Sequence, residues 1–173
     1  MRIRIAAVAA LLLIASPALA ERLLFDHRLS PPLLATLAAK DPAMIAYNDK
    51  NPRYVTDLIV VRGKSASDWT EALLIVARTP DRKVRTAPEW LAELRAEATK
   101  RCTSTITVLA EDAQSVLFER RSTGCKGDYP PVALYRVVQG PRSLFMLAVL
   151  SRTELSETSR GEWRALLESA RIE

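Results

Sequence analysis

Histidine is almost absent: the 173-residue chain carries one, His27. Ser-His-Asp and Cys-His devices need an imidazole as base, so that chemistry would hang on one residue near the N-terminal end. The plain reading of His27 is an exposed histidine. Glycine is nearly as scarce, at five residues. There is no G-x-S-x-G elbow, and Gly124-Cys125-Lys126-Gly127 makes a poor phosphate loop because no helical pattern follows it. Two cysteines and one histidine fall short of a zinc set. No cofactor or metal is expected. Low-complexity tracts and solenoid-length repeats are also missing. After the first twenty residues no apolar run reaches the roughly 20 residues of a membrane span, because Arg, Glu or Asp interrupts each one.

What is present is concentrated at the start. Met1-Arg2-Ile3-Arg4 is a charged lead, Ile5 to Ala15 an apolar run, and Ser16-Pro17-Ala18-Leu19-Ala20 a small-residue close. That order is a secretory signal peptide, with cleavage expected between Ala20 and Glu21. An uncleaved anchor would need about twice the apolar length, and no cysteine follows the cleavage region to carry a lipid. Taking 20 from 173 residues leaves a mature chain of 153, and losing Arg2 and Arg4 lowers the formal charge from +5 to +3. Much of the basic balance therefore belongs to the export segment and argues poorly for nucleic acid. The mature chain is expected to be soluble and either periplasmic or secreted.

In an exported chain the pair Cys102 and Cys125 reads most simply as one disulfide. Closing that loop is worth roughly 3 to 3.5 kcal/mol on a chain-entropy basis. The local patterns give it a place. Residues 21 to 50 read as an N-terminal extension, with a short helix started by Ser30-Pro31-Pro32 and stopped at Asp41-Pro42. Asn48 to Pro52 is a turn-rich boundary, and 51 to 173 form one domain. Strands are expected over Tyr54–Arg62 and Trp69–Arg78, the second apolar on both faces and so covered on both sides. Thr86 and Glu89 make a capping box for a helix carrying Leu91, Leu94, Ala98 and Cys102. Hairpins follow, 105–110 with 115–121 and 132–139 with 143–151. An amphipathic helix, about Thr158 to Ile172, sets Trp163, Leu166, Leu167 and Ala170 on one stripe. Cys102 and Cys125 lie about equally far from the first hairpin's turn near Ala113, so they should meet at its open end. The order ββαββββα is an α+β architecture: an antiparallel sheet of about six strands with two main helices packed on it.

At the level of short motifs the chain resembles a known group. Asp68-Trp69-Thr70-Glu71, a helix ending at Cys102, Thr123-Gly124-Cys125-Lys126-Gly127, then Arg136, Gly140 and Leu144-Phe145 are similar to exported bacterial proteins of unassigned role with a PsbP-like (Mog/PsbP) fold. The resemblance spans about residues 54 to 172. It implies the fold and a partner-binding rather than catalytic role, since the better-known members are extrinsic photosystem subunits and a small-GTPase binder. None of their partner-binding motifs matches here, so no functional residue carries over.

Two basic groups are the candidate binding surfaces. Arg78, Arg82, Lys83 and Arg85 surround a strand-to-helix loop, and Arg120, Arg121 and Lys126 lie near the disulfide. Either could meet phosphate or carboxylate on an envelope polymer or an acidic partner; the bland alternative is a solvated surface. Acid–base work on a glycan would draw on Asp57, Asp68, Glu71, Glu111, Asp112, Glu119 and Asp128, most of them placed where solvated carboxylates normally lie. Trp90 and Trp163 read as packing residues, whereas Trp69 could line a pocket. Nucleic acid would want interleaved basics and aromatics, and Phe118-Glu119-Arg120-Arg121 is too little. The leading reading is an exported, non-enzymatic binding or accessory protein, inhibitor or immunity protein included. The alternatives are an envelope glycan hydrolase with paired carboxylates and a structural envelope component. Unreduced mature protein should show no free thiol on alkylation and mass spectrometry; two alkylated cysteines would remove the disulfide.

Overall fold

Alternation along the third strand explains most of the architecture. In a computed structural model, which describes residues 21–26, 55–63, 69–127 and 129–173, Leu73 and Ile75 point to one face of a sheet. Val76 points to the other, and all three are buried. Such a strand is stable only with a layer over each face. The described elements run β1 (Leu23–Leu24), β2 (Val55–Gly63), β3 (Trp69–Arg78), α1 (Ala87–Arg101), β4 (Thr103–Glu111), β5 (Ser115–Thr123), β6 (Val132–Gln139), β7 (Leu144–Ser151), α2 (Glu157–Glu168) and β8 (Arg171–Ile172). Strands β2 to β7 form a six-stranded antiparallel sheet in the order β2-β3-β7-β6-β5-β4. The α+β expectation holds, including both hairpins. The signal segment, the Ser30 helix, the boundary near Pro52, His27, Asp68 and Asp128 lie outside the described residues.

One face of the sheet is closed by α2. Trp163, Leu166 and Leu167 pack there on Leu73, Leu117, Leu134 and Leu147, and the Trp163 indole N–H donates to the Glu71 carboxylate. The other face is closed by α1, with Trp90, Leu91 and Ala87 over Phe118, Val137 and Met146. Helix α1 begins as its sequence requires. The Thr86 hydroxyl accepts from the Glu89 N–H, and the Glu89 carboxylate accepts from the Thr86 N–H at 3.1 Å. It lies over β4, β5 and β6, and the half-buried Leu74, Leu94 and Leu150 border its edge.

The last element departs from expectation. The helix stops at Glu168 rather than running to Ile172. The Ser169 hydroxyl turns back to the Leu166 carbonyl at 2.7 Å and also engages Asp26 through its N–H and carbonyl. That frees residues 171–172 to pair with Leu23–Leu24 as β8 with β1. Residues 21–24, read as the start of an extension, thus form a small second sheet with the C-terminal end. Ala170 is buried as the stripe required, but from beyond the helix.

Trp163 is fully buried, so Trp163→Ala should cost about 3–5 kcal/mol. A denaturant midpoint close to wild type would show that α2 is not a core element.

Candidate functional site

A β-strand sends successive side chains to opposite faces, and this divides the basic residues. Arg120 and Arg121 are neighbours on β5 but serve different layers. Arg121 lies on the α2 side, half exposed, and pairs with Glu119 and Glu154 at 2.8 Å each. Glu119 is also bound by Arg160 of α2 at 2.6 Å. Arg120 lies on the α1 side and is 2% exposed.

Cross-strand rows show why an arginine fits there. Ala133 stands opposite Arg120, and Ala148 stands between Tyr135 and Leu74. These alanines leave a depression between larger neighbours. Phe118 and Tyr135, directly paired, stack with centroids 4.7 Å apart. Arg120 donates from Nε to the Tyr135 hydroxyl at 3.3 Å, from one terminal nitrogen to Ser122, and from the other to the Pro130 carbonyl at 2.9 Å. Its guanidinium carbon is 4.2 Å from the Tyr129 ring centroid. Burial pushes the Tyr135 phenol above its ordinary value, with the Arg120 charge opposing. Every one of these Arg120 partners is neutral. Removing a charge from water costs several kcal/mol, and hydrogen bonds plus a ring face offset that only partly.

The disulfide builds the wall beside this arginine. Cys102 follows α1 and bonds Cys125 as the hairpin geometry requires. Gly124 and Gly127 turn the intervening loop with φ of 62° and 67°, a region costly for other residues. The Lys126 N–H donates to the Arg101 carbonyl at 3.3 Å, and the Arg101 guanidinium carbon is 5.6 Å from the Tyr129 ring centroid. Arg101, Lys126 and Arg120 thereby line one groove of about 670 Å³ whose apolar sides include Leu94, Met146 and Leu150. No acid lines it among the described residues. Of the second basic group, Arg120 and Lys126 come together and Arg121 does not. Arg101 and Tyr129 escaped sequence reading; their only signal was adjacency to the cysteine motif.

The first basic group also divides. Arg78 is nearly buried and committed, to Asp81 at 2.6 Å and Glu93 at 2.9 Å, with Trp90 at 5.2 Å. Burial works against its charge, but its bonds to Asp81 and Glu93 outweigh that and raise its pKa. Arg82, Lys83 and Arg85 remain exposed on the loop, where Arg82 and Arg85 border an open hollow of about 440 Å³ shared with Asp81. A larger cleft of about 750 Å³ lies beside the β1–β8 clasp, but three acids (Glu21, Asp112, Glu173) and three arginines (Arg136, Arg142, Arg171) line it together. It favours neither sign of ligand.

Most of the carboxylate candidates within the described side chains are occupied structurally, while Glu111 is exposed at the end of β4. Glu71 holds Trp163, Glu119 holds Arg121 and Arg160, and Asp112 caps its turn through Gln114 N–H at 2.8 Å and Ser115 hydroxyl at 2.6 Å. The carboxyls with displaced titration, Asp81, Glu97 and Asp112, are all pushed down, opposite to a general acid's need. The described residues hold no group of three metal-ligating side chains, and no described helix is long and apolar enough to cross a membrane. Comparison with known protein families and with characterised proteins gives no match.

Asp81 supplies a pH test of the α1 entry loop. The Val84 and Lys83 N–H groups, then Arg78, hold its pKa at about 2. A carboxyl depressed by folding contributes stability that is present above its ordinary pKa and lost as pH falls toward the folded value. Asp81→Asn should therefore lower the Tm at pH 7 and converge with wild type near pH 2. An equal deficit at both pH values would contradict the assignment.

Proposed function

We propose that the mature protein is an exported, non-enzymatic binding or accessory protein of the cell envelope, working in the periplasm or the medium. It takes an anionic ligand, or the acidic face of a partner, in the groove between α1 and the sheet. The observation that carries this reading is Arg120, a buried cation whose hydrogen-bond partners among the described residues are neutral, at the floor of a groove whose other charges among the described residues are Arg101 and Lys126. A fold rarely keeps an arginine so deep without a counter-charge, and an arriving oxyanion supplies one. Export rests on the N-terminal pattern, with cleavage between Ala20 and Glu21, and the Cys102–Cys125 disulfide fits an oxidising compartment. A PsbP-like relationship belongs to the same proposal, and an inhibitor or immunity protein is its partner-binding version. The structural roles of Glu71, Asp112 and Glu119 weigh against the glycan hydrolase.

The test is binding of the mature protein to a phosphate-rich envelope extract at low and high salt. Wild type should bind and weaken with salt. Arg101→Gln with Lys126→Gln should bind about tenfold more weakly, the scale of a charge-assisted hydrogen bond. Arg82→Ser, Lys83→Ser and Arg85→Ser together should stay within about twofold of wild type. Salt-insensitive binding, or a larger loss from the loop triple, overturns the groove as the site.

A further inference from the structure

We infer that the groove is a receptor for a single free amphiphile, a molecule with one carboxylate or phosphate head and an alkyl body. This deepens the anionic-ligand reading and rests on it. A guanidinium has five N–H groups, and Arg120 uses three on Tyr135, Ser122 and Pro130. Two therefore remain without a protein acceptor among the described residues, on a side chain that is 2% exposed. An oxyanion with two free oxygens suits a guanidinium fork, and Arg101 and Lys126 add charge at the same end. The Tyr129 ring, near both Arg101 and Arg120, keeps the cations in place.

The remainder of the lining has a different chemistry. Leu74, Leu94 and Leu150 are only half-buried, and Met146 and Ala148 lie with them. They continue the apolar surface of the α1-side core, so an alkyl chain laid there extends the layer that α1 forms chiefly over β4, β5 and β6 onto leucines it leaves half-exposed. A site with one charged end, an apolar body and a volume of about 670 Å³ matches the size and make-up of small-molecule pockets. A bare inorganic anion would leave the leucines in water. A membrane surface is a poor occupant as well. Val108, on β4, is the exposed large apolar side chain among the described residues, whereas insertion into lipid needs an apolar face that protrudes.

The experiment is calorimetric titration of the mature, disulfide-bonded protein below the micelle concentration. The probes are dodecanoate, dodecyl phosphate, acetate, inorganic phosphate and neutral dodecyl maltoside. One dodecyl anion should bind per chain, at least about 30-fold tighter than its chainless counterpart, as burial of a few methylenes requires. The tighter of the two assigns the head. Arg101→Gln with Lys126→Gln should weaken all anions. Leu94→Gln should cut the chain-dependent gain several-fold and leave inorganic phosphate unchanged; Arg101 and Lys126 are exposed, Leu94 is half-buried, and both variants spare Arg120. If the chain adds nothing while phosphate binding survives and depends on Arg101 and Lys126, the amphiphile is overturned and the anionic-ligand reading stands. Equal binding of the neutral maltoside, or several amphiphiles per chain, overturns the specific receptor. No binding by any anion, as when another part of the chain fills the groove, overturns both.

Discussion

The Cys102–Cys125 bond is the constraint on which the α1 side of this protein depends. It joins the end of α1 to the loop after β5, at the open end of a hairpin whose strands are already in register. Without it, the loop from Gly124 would be held to the helix end, among the described residues, by the backbone hydrogen bond from Lys126 to Arg101 and the Arg101–Tyr129 ring contact. With it, Tyr129 and Pro130 are set against Arg120, and Arg101 and Lys126 come to one side of the sheet. A staple worth roughly 3 to 3.5 kcal/mol thus also fixes the geometry of three positive charges.

That placement has a cost that the neighbouring sequence was chosen to limit. Ala133 beside Arg120 gives the guanidinium room, Ser122 and Tyr135 give it acceptors, and the Tyr129 ring gives it a polarisable face. Elsewhere the charges close on themselves. Arg78, Asp81 and Glu93 lock the entry to α1, while Glu119, Arg121, Arg160 and Glu154 tie β5 to the α2 end. The contrast between those balanced networks and the unbalanced groove sets the groove apart from the rest of the described surface.

Much of the fold was legible because its periods are clean. β3 and β6 have the expected bounds, and Thr86 and Glu89 make the capping box that their three-residue spacing announced. Both hairpins are local, so turn residues and alternation settle them. The end of α2 was not legible, because Ala170 continues the helical stripe while the bonds of Ser169 to Asp26 come from the other end of the chain. The same holds for β1, two residues whose pairing partner is 148 or so positions away.

By itself the amino-acid order determined the local elements, their α+β sequence and the pairing of its two cysteines, since each follows from spacing along one stretch of chain. It also marked two neighbourhoods of positive charge. Only the tertiary structure decided which charges act together. Arg120 and Arg121 differ by one position and go to opposite layers; Arg101 and Lys126 lie far apart in sequence and share a groove. The reason is that a strand assigns faces by parity, whereas a site is assembled by strand order and by the layer each face meets. Neither is written in the spacing of basic residues.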